Sequence, residues 1–153
     1  METFPESGDS RAGTYVLVLK LDGDTAIPAG RLGCLEFPAG FYTYIGSAFG
    51  PGGLRARIGR HLKRSKKCRW HVDYLRRFAR IREIWYTFHP EKAECRWAQI
   101  LRQTRGSEII APGFGSSDCR CGTHLFHFKR KPGIKTFRRK ISVRLHVKDF
   151  SLD

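Results

Sequence analysis

Between Phe41 and Arg64 the chain reads FYTYIGSAFGPGGLRARIGRHLKR, and this stretch restricts how everything around it can fold. Phe41 to Gly46 is aromatic and β-branched with period two, so Tyr42, Tyr44 and Gly46 face one side while Phe41, Thr43 and Ile45 face the other. That pattern predicts a strand. Gly50, Pro51, Gly52 and Gly53 break it, let the backbone turn, and let a ligand approach the following helix closely. The helix is expected from about Leu54. Leu54, Ile58 and Leu62 make one apolar stripe, and Arg57 and His61 lie one turn apart on its flank, at the rim of the core. Arg55, Arg60 and Lys63 point further out.

The chain has 153 residues, which suits one domain with a modest core. We expect a tail over 1–12, a domain over 13–128 and a basic extension over 129–153. Lys and Arg number 29 against 14 Asp and Glu, a net charge of +15. Such a balance implies an anionic partner, with nucleic acid as the first choice. Candidate phosphate contacts are Arg55, Arg60, Lys63, Arg64, Lys66 and Lys67. No apolar run approaches the roughly 20 residues that span a bilayer, and METFPESGDSRAG is unlike a signal peptide, so no membrane partner and a cytoplasmic location are expected. The 5 cysteines show no disulfide framework spacing, and free thiols are the expectation.

Along the chain, Tyr15 to Leu21 reads as a buried strand. Asp22-Gly23-Asp24 is a turn signal from which a hairpin is expected, and Thr25 to Gly40 reads as an irregular connection with one brief strand around Arg31 to Phe37. Trp70 to Phe78 predicts an amphipathic helix with Trp70, Tyr74 and Phe78 as its core stripe. Ile81 to Phe88 is expected as a strand and Glu91 to Gln103 as a helix that buries Ala93, Trp97, Ile100 and Leu101, with Glu94 at the stripe's edge. Thr123 to Phe128 predicts a last strand. Beyond it, Thr136 to Val147 has weak strand alternation, readable as an edge strand in a solvated extension or as a phosphate-tracking arm.

A strand ending in Tyr-Ile-Gly-Ser-Ala, then a helix carrying Arg-x-x-Arg-His, resembles the GIY-YIG nuclease family. Upstream, Gly13-Thr14-Tyr15 fits the family's first strand. The resemblance covers Gly13 to Gln103, and the remainder, with its SSDCRCGTHLFHF block, is similar to an uncharacterised prokaryotic branch that occurs alone or fused to an endonuclease III type glycosylase. It implies an α+β fold with a small central antiparallel sheet flanked by helices. It also implies a DNA endonuclease using one divalent ion, Mg²⁺ or Mn²⁺, in repair or recombination, associated with the nucleoid and with a DNA-repair protein as a partner. By the same resemblance Tyr15 activates water, Tyr44 is a second site tyrosine, Arg57 stabilises the phosphate, His61 assists as donor or proton carrier, and Glu94 holds the metal. Either tyrosine could be the base. The family usually places a further polar residue after the carboxylate helix, and since this chain has no asparagine, His124 or Asp118 is the substitute considered.

Other readings of the same residues stay in view. Tyr15 and Tyr44 could be strand aromatics packing across a hairpin. A non-catalytic DNA- or RNA-binding module would keep the basic surface without turnover. Hydrolysis needs an activated water, a Lewis acid and positive groups for the transition state, and between Glu36 and Glu83 the only acid is Asp73, which favours one metal over a carboxylate-clustered pair. Cys119, Cys121, His124 and His127 could ligate zinc, but their tight spacing lacks the separated pairs of ordinary zinc modules, so buried thiols and strand histidines are expected there. The glycine-rich turn lacks a Gly-Lys-Ser/Thr ending and is no nucleotide loop, though its N–H groups could meet a DNA phosphate.

Overall fold

The computed structural model describes residues 10–64, 66–115 and 121–150. Its centre is β1 (Gly13–Leu21), whose run Tyr-Val-Leu-Val-Leu suits a strand covered on both faces. On one side it pairs with β4 (Gly40–Ala48), on the other with β5 (Arg80–Thr87). Strands β6 (Leu125–Phe128) and β7 (His146–Asp149) complete a sheet of order β6-β4-β1-β5-β7, antiparallel throughout. The fold is α+β, as the sequence predicts.

Period-two alternation divides the core into two layers. Tyr15, Leu17, Leu19 and Leu21 of β1 and Tyr42 and Tyr44 of β4 face one layer, where α1 (Gly53–Leu62) contributes Leu54 and Ile58 and α2 (His71–Arg76) contributes Val72 and Leu75. Val16, Val18 and Ile45 face the other, where α3 (Glu94–Arg102) buries Trp97 and Leu101 and α4 (Ile134–Lys140) buries Phe137. Helices cover both faces.

Several local expectations are corrected. No hairpin joins β1 to the next strand: β2 (Thr25–Pro28) pairs with β3 (Cys34–Phe37) in a separate two-stranded sheet, with a 3₁₀ turn at Gly30–Leu32 between them. Helix α2 is shorter than Trp70 to Phe78, and its buried stripe is Val72, Leu75 and the following Ala79, one register away from the expected Trp70, Tyr74 and Phe78. Phe78 is 47% exposed. Asp73 sets this register, because its Oδ2 accepts hydrogen bonds from the Arg69 and Trp70 N–H groups and so starts the helix there. Helix α3 starts three residues later than expected, which moves Glu94 into its first turn. The Thr136 to Val147 region forms α4 and then β7, whose edge pairing with β5 joins this basic segment to the same sheet.

The glycine-rich turn works as a turn, and two N–H groups at the helix start are already bonded. Gly52 and Gly53 take positive φ, 82° and 59°, a region that only glycine enters cheaply. The Leu54 N–H donates to the Arg11 carbonyl and the Gly53 N–H to the Gly50 carbonyl. The chain's own backbone thus takes up two of the N–H groups considered for a DNA phosphate. Of the expected tail, residues 1–9 lie outside the described residues. Among the described residues no helix is long and apolar enough to cross a membrane.

Candidate active site

The β1–β4 register creates the site. Tyr15 stands opposite Gly46, and its phenol ring lies across that glycine so closely that a Cβ at 46 would collide with the hydroxyl end. Gly46 is therefore the residue that lets Tyr15 lie flat over β4. Above the ring, the last turn of α1 inserts His61, only 1% exposed, with Nε2 2.6 Å from the Tyr15 hydroxyl. The imidazole packs among Tyr15, Tyr44 and Trp70, with ring centroids 5.4, 6.1 and 5.8 Å away. His61 is not at the rim of the core, as its place on the helix flank suggests, but inside it.

Burial sets the electrostatics. It drives the Tyr15 phenol well above its ordinary value, with Tyr44 adding to the rise and Arg57, by charge and hydrogen bond, opposing it. Tyr44 is raised too, by burial and then by Glu94. Both phenols are protonated at neutral pH. His61 goes the other way: burial lowers it to about 3, against the attraction of Asp73, so its ring is neutral. The Tyr15–His61 contact is thus a hydrogen bond between neutral groups, and His61 Nδ1 is buried with no hydrogen-bond partner among the described residues.

Around this pair opens a cleft of about 350 Å³, lined by Tyr15, Tyr44, Arg57 and Glu94 together with Trp70, His71, Lys92 and His124. The structure brings all five expected site residues together: four line the cleft and the fifth, His61, backs it. Glu94 enters from the first turn of α3, where a carboxylate is favoured by the helix dipole. Its side chain keeps 28% exposure, and its Oε2 lies 3.9 Å from His124 Nδ1. Among the described residues no other carboxylate lines the cleft.

Sequence reasoning missed part of this lining. Trp70, assigned to a core stripe, is half-buried at the cleft wall, with the Arg57 and Arg60 guanidinium carbons 4.4 and 4.2 Å from its ring centroid. His71 accepts a hydrogen bond from the Gly115 N–H at Nδ1, 2.9 Å, which leaves the other ring nitrogen to carry the proton. No motif marked either residue. His124, considered as a substitute for a missing polar residue and as a zinc ligand, does reach the cleft. Asp118 and Cys119 lie outside the described residues.

The cations expected to bind nucleic acid separate into two groups. Arg55, Lys63, Arg64 and Lys67 are exposed. Arg60 instead pairs with the Asp73 carboxylate at 2.9 Å, and Lys66 donates to the Lys63 and His61 carbonyls at the end of α1. Burial would raise Asp73, but hydrogen bonds from Arg60, Trp70 and Arg69 outweigh it and hold the carboxyl below its ordinary value. Arg76, not singled out by any motif, donates to the His61, Leu62 and Ala79 carbonyls and fastens α1 to α2. These three cations hold the helix that carries Arg57 and His61.

No curated protein and no solved structure matches the chain significantly. A family model does match, over residues 14–146, from the start of β1 to the start of β7 and across every cleft residue named above. The chain belongs to the family described as domain of unknown function DUF123.

Proposed function

We propose that the cleft is a nuclease centre of the GIY-YIG type, which hydrolyses phosphodiester bonds in DNA with one divalent ion, Mg²⁺ or Mn²⁺. The observation that carries this reading is the convergence of Tyr15, Tyr44, Arg57, His61 and Glu94, drawn from four separate elements, on one cleft. Strand aromatics that merely pack across a hairpin would not require a buried histidine on the hydroxyl of one and a guanidinium beside it.

The donor set fits a hard ion. One partly exposed carboxylate, Glu94, stands near two phenolic oxygens, which suits Mg²⁺ or Mn²⁺, ions that keep most of their ligands as water and substrate phosphate. When bound, such an ion supplies Lewis-acid stabilisation of the phosphate and lowers the pKa of a neighbouring water. Tyr15 cannot serve as a standing phenolate, because burial keeps it protonated. It can act as a relay: its oxygen takes a proton from water as its own proton passes to His61 Nε2, which is neutral and within hydrogen-bond distance. Burial disfavours the imidazolium so formed and the Asp73 carboxylate offsets part of that cost, so His61 holds the proton only in passing. Arg57, held over Trp70, is positioned for the charge that develops on the phosphate. The exposed cations of α1 and the loop after it would track the DNA backbone.

The test is incubation of supercoiled, linear, single-stranded and branched DNA with Mg²⁺, Mn²⁺ or EDTA, with Glu94→Ala beside the wild type. Metal-dependent cutting that vanishes in Glu94→Ala, with DNA binding retained, is expected. Binding of every DNA without cutting by the wild type would move the assignment to a non-catalytic binding module.

A further inference from the structure

At the edge of the cleft, a second set of chemically capable side chains, which includes the cleft-lining His124, is not used in the proposed hydrolysis. Cys95 follows Glu94 in the first turn of α3, while Cys121 and His124 precede β6. Their two Sγ atoms and a ring nitrogen all lie within 4.8 Å of one another. The sequence hides this grouping. The compact run of Cys119, Cys121, His124 and His127 suggests a single local cluster, yet His127 turns away, its Nε2 2.9 Å from the Ala39 carbonyl oxygen and its Nδ1 3.6 Å from Glu108. Its place is taken by a cysteine from a helix earlier in the chain. Two cysteines and a histidine on separate elements are thus held together by the fold itself.

We propose that Cys95, Cys121 and His124 form a Zn²⁺ site. Tetrahedral zinc with Zn–S near 2.3 Å and Zn–N near 2.0–2.1 Å sets its ligand atoms roughly 3.3–3.8 Å apart, so the trio needs to close by about 1 Å, within reach of a cysteine rotamer change. The exposure gradient suits a metal site: Cys95 is exposed and offers an entry path, Cys121 is half-buried, and His124 is buried. A hydrogen bond between the His124 ring and the Gly115 backbone holds the imidazole, as an outer partner of a metal-binding histidine does. The described residues supply three of the four ligands that tetrahedral zinc takes. On binding, each thiol gives up its proton and both sulfurs ligate as thiolates. The ion would tie the first turn of α3, and with it Glu94, to the segment before β6. Nothing in this assignment depends on the nuclease reading.

The test uses the full chain, purified without chelator, with its metal content measured directly. A demetallated, reduced sample is then titrated with Co²⁺ while its absorption is followed. We expect one Zn²⁺ per chain and, with Co²⁺, both thiolate-to-metal charge transfer and the strong visible bands of tetrahedral coordination. Cys95→Ser and Cys121→Ser should each weaken Zn²⁺ binding by about 100-fold or more. Circular dichroism of each variant separates ligand loss from unfolding. In the unaltered chain, Zn²⁺ should also protect Cys95 and Cys121 from alkylation. A wild type that retains no Zn²⁺ and gives no charge-transfer band overturns the assignment. So does Zn²⁺ binding undiminished in both serine variants, or a reduced chain that forms a Cys95–Cys121 disulfide on oxidation but takes up neither ion.

Discussion

The two faces of the sheet share their strands and carry opposite chemistry. On the face covered by α3 and α4, Trp85 and Trp97 pack against Phe137 with ring centroids 5.3 and 5.1 Å away, among Val16, Val18 and Ile45. Its one buried carboxylate, Glu83, is satisfied twice, by the Trp85 indole N–H and by Lys131. On the face covered by α1 and α2, the phenols of Tyr15, Tyr42 and Tyr44 and the His61 imidazole are buried among leucines, and His61 Nδ1 has no hydrogen-bond partner among the described residues. Burying such groups costs free energy that apolar packing of the same area would not. The difference assigns stability to one face and chemistry to the other, and the shared strand β1 couples them.

The largest expected effect belongs to the apolar face. Trp97→Ala should lower stability by about 3–5 kcal/mol in urea denaturation, through lost burial and the cavity left behind. A loss under about 1 kcal/mol would mean that this face does not carry the fold.

The polar face should reveal itself through acid. The unfolded chain binds a proton at histidine near pH 6.5, while folded His61 resists until about pH 3. Between those values the unfolded state holds more protons, so stability rises with pH and is lost on acidification, by at most about 1.4 kcal/mol per unit for this one group. His71 and His124, also lowered by burial, act with the same sign. Asp73, held below its ordinary value, adds its loss only in the more acidic carboxylate range. Stability should therefore fall by about 2 kcal/mol from pH 6.5 to 4.5, and His61→Phe should flatten that slope, as read from melting at several pH values. An unchanged slope in His61→Phe would remove His61 from the account.

The smallest effect is a gain. Thr43 Oγ1 is buried on the apolar face with no hydrogen-bond partner among the described residues. Thr43→Val should stabilise the chain by about 1 kcal/mol, checked by the same denaturation.

Much of the polar face was legible because its residues are local to a motif. Tyr42, Tyr44 and Gly46 fall on one side of β4, as period two requires, and Arg57 and His61 lie on one helix flank. The role of Gly46 was not legible, because it depends on the cross-strand register with Tyr15. Helical periodicity was right only in part at Trp70, Tyr74 and Phe78: the first two pack half-buried against the core and Phe78 is exposed, while capping by Asp73 puts Val72 and Leu75 at its centre. The same kind of limit hid Cys95. Nothing in its own segment points to Cys121 and His124, which only the packing of α3 against the sheet brings near.

The most direct test of the central claim is Tyr15→Phe, assayed for metal-dependent DNA cleavage and for DNA binding in the same buffer. The substitution keeps the ring over Gly46 and removes only the hydroxyl that meets His61. The account predicts a cleavage rate lowered by at least about 100-fold, with DNA affinity and melting temperature nearly unchanged. Cleavage at the wild-type rate in Tyr15→Phe would contradict it.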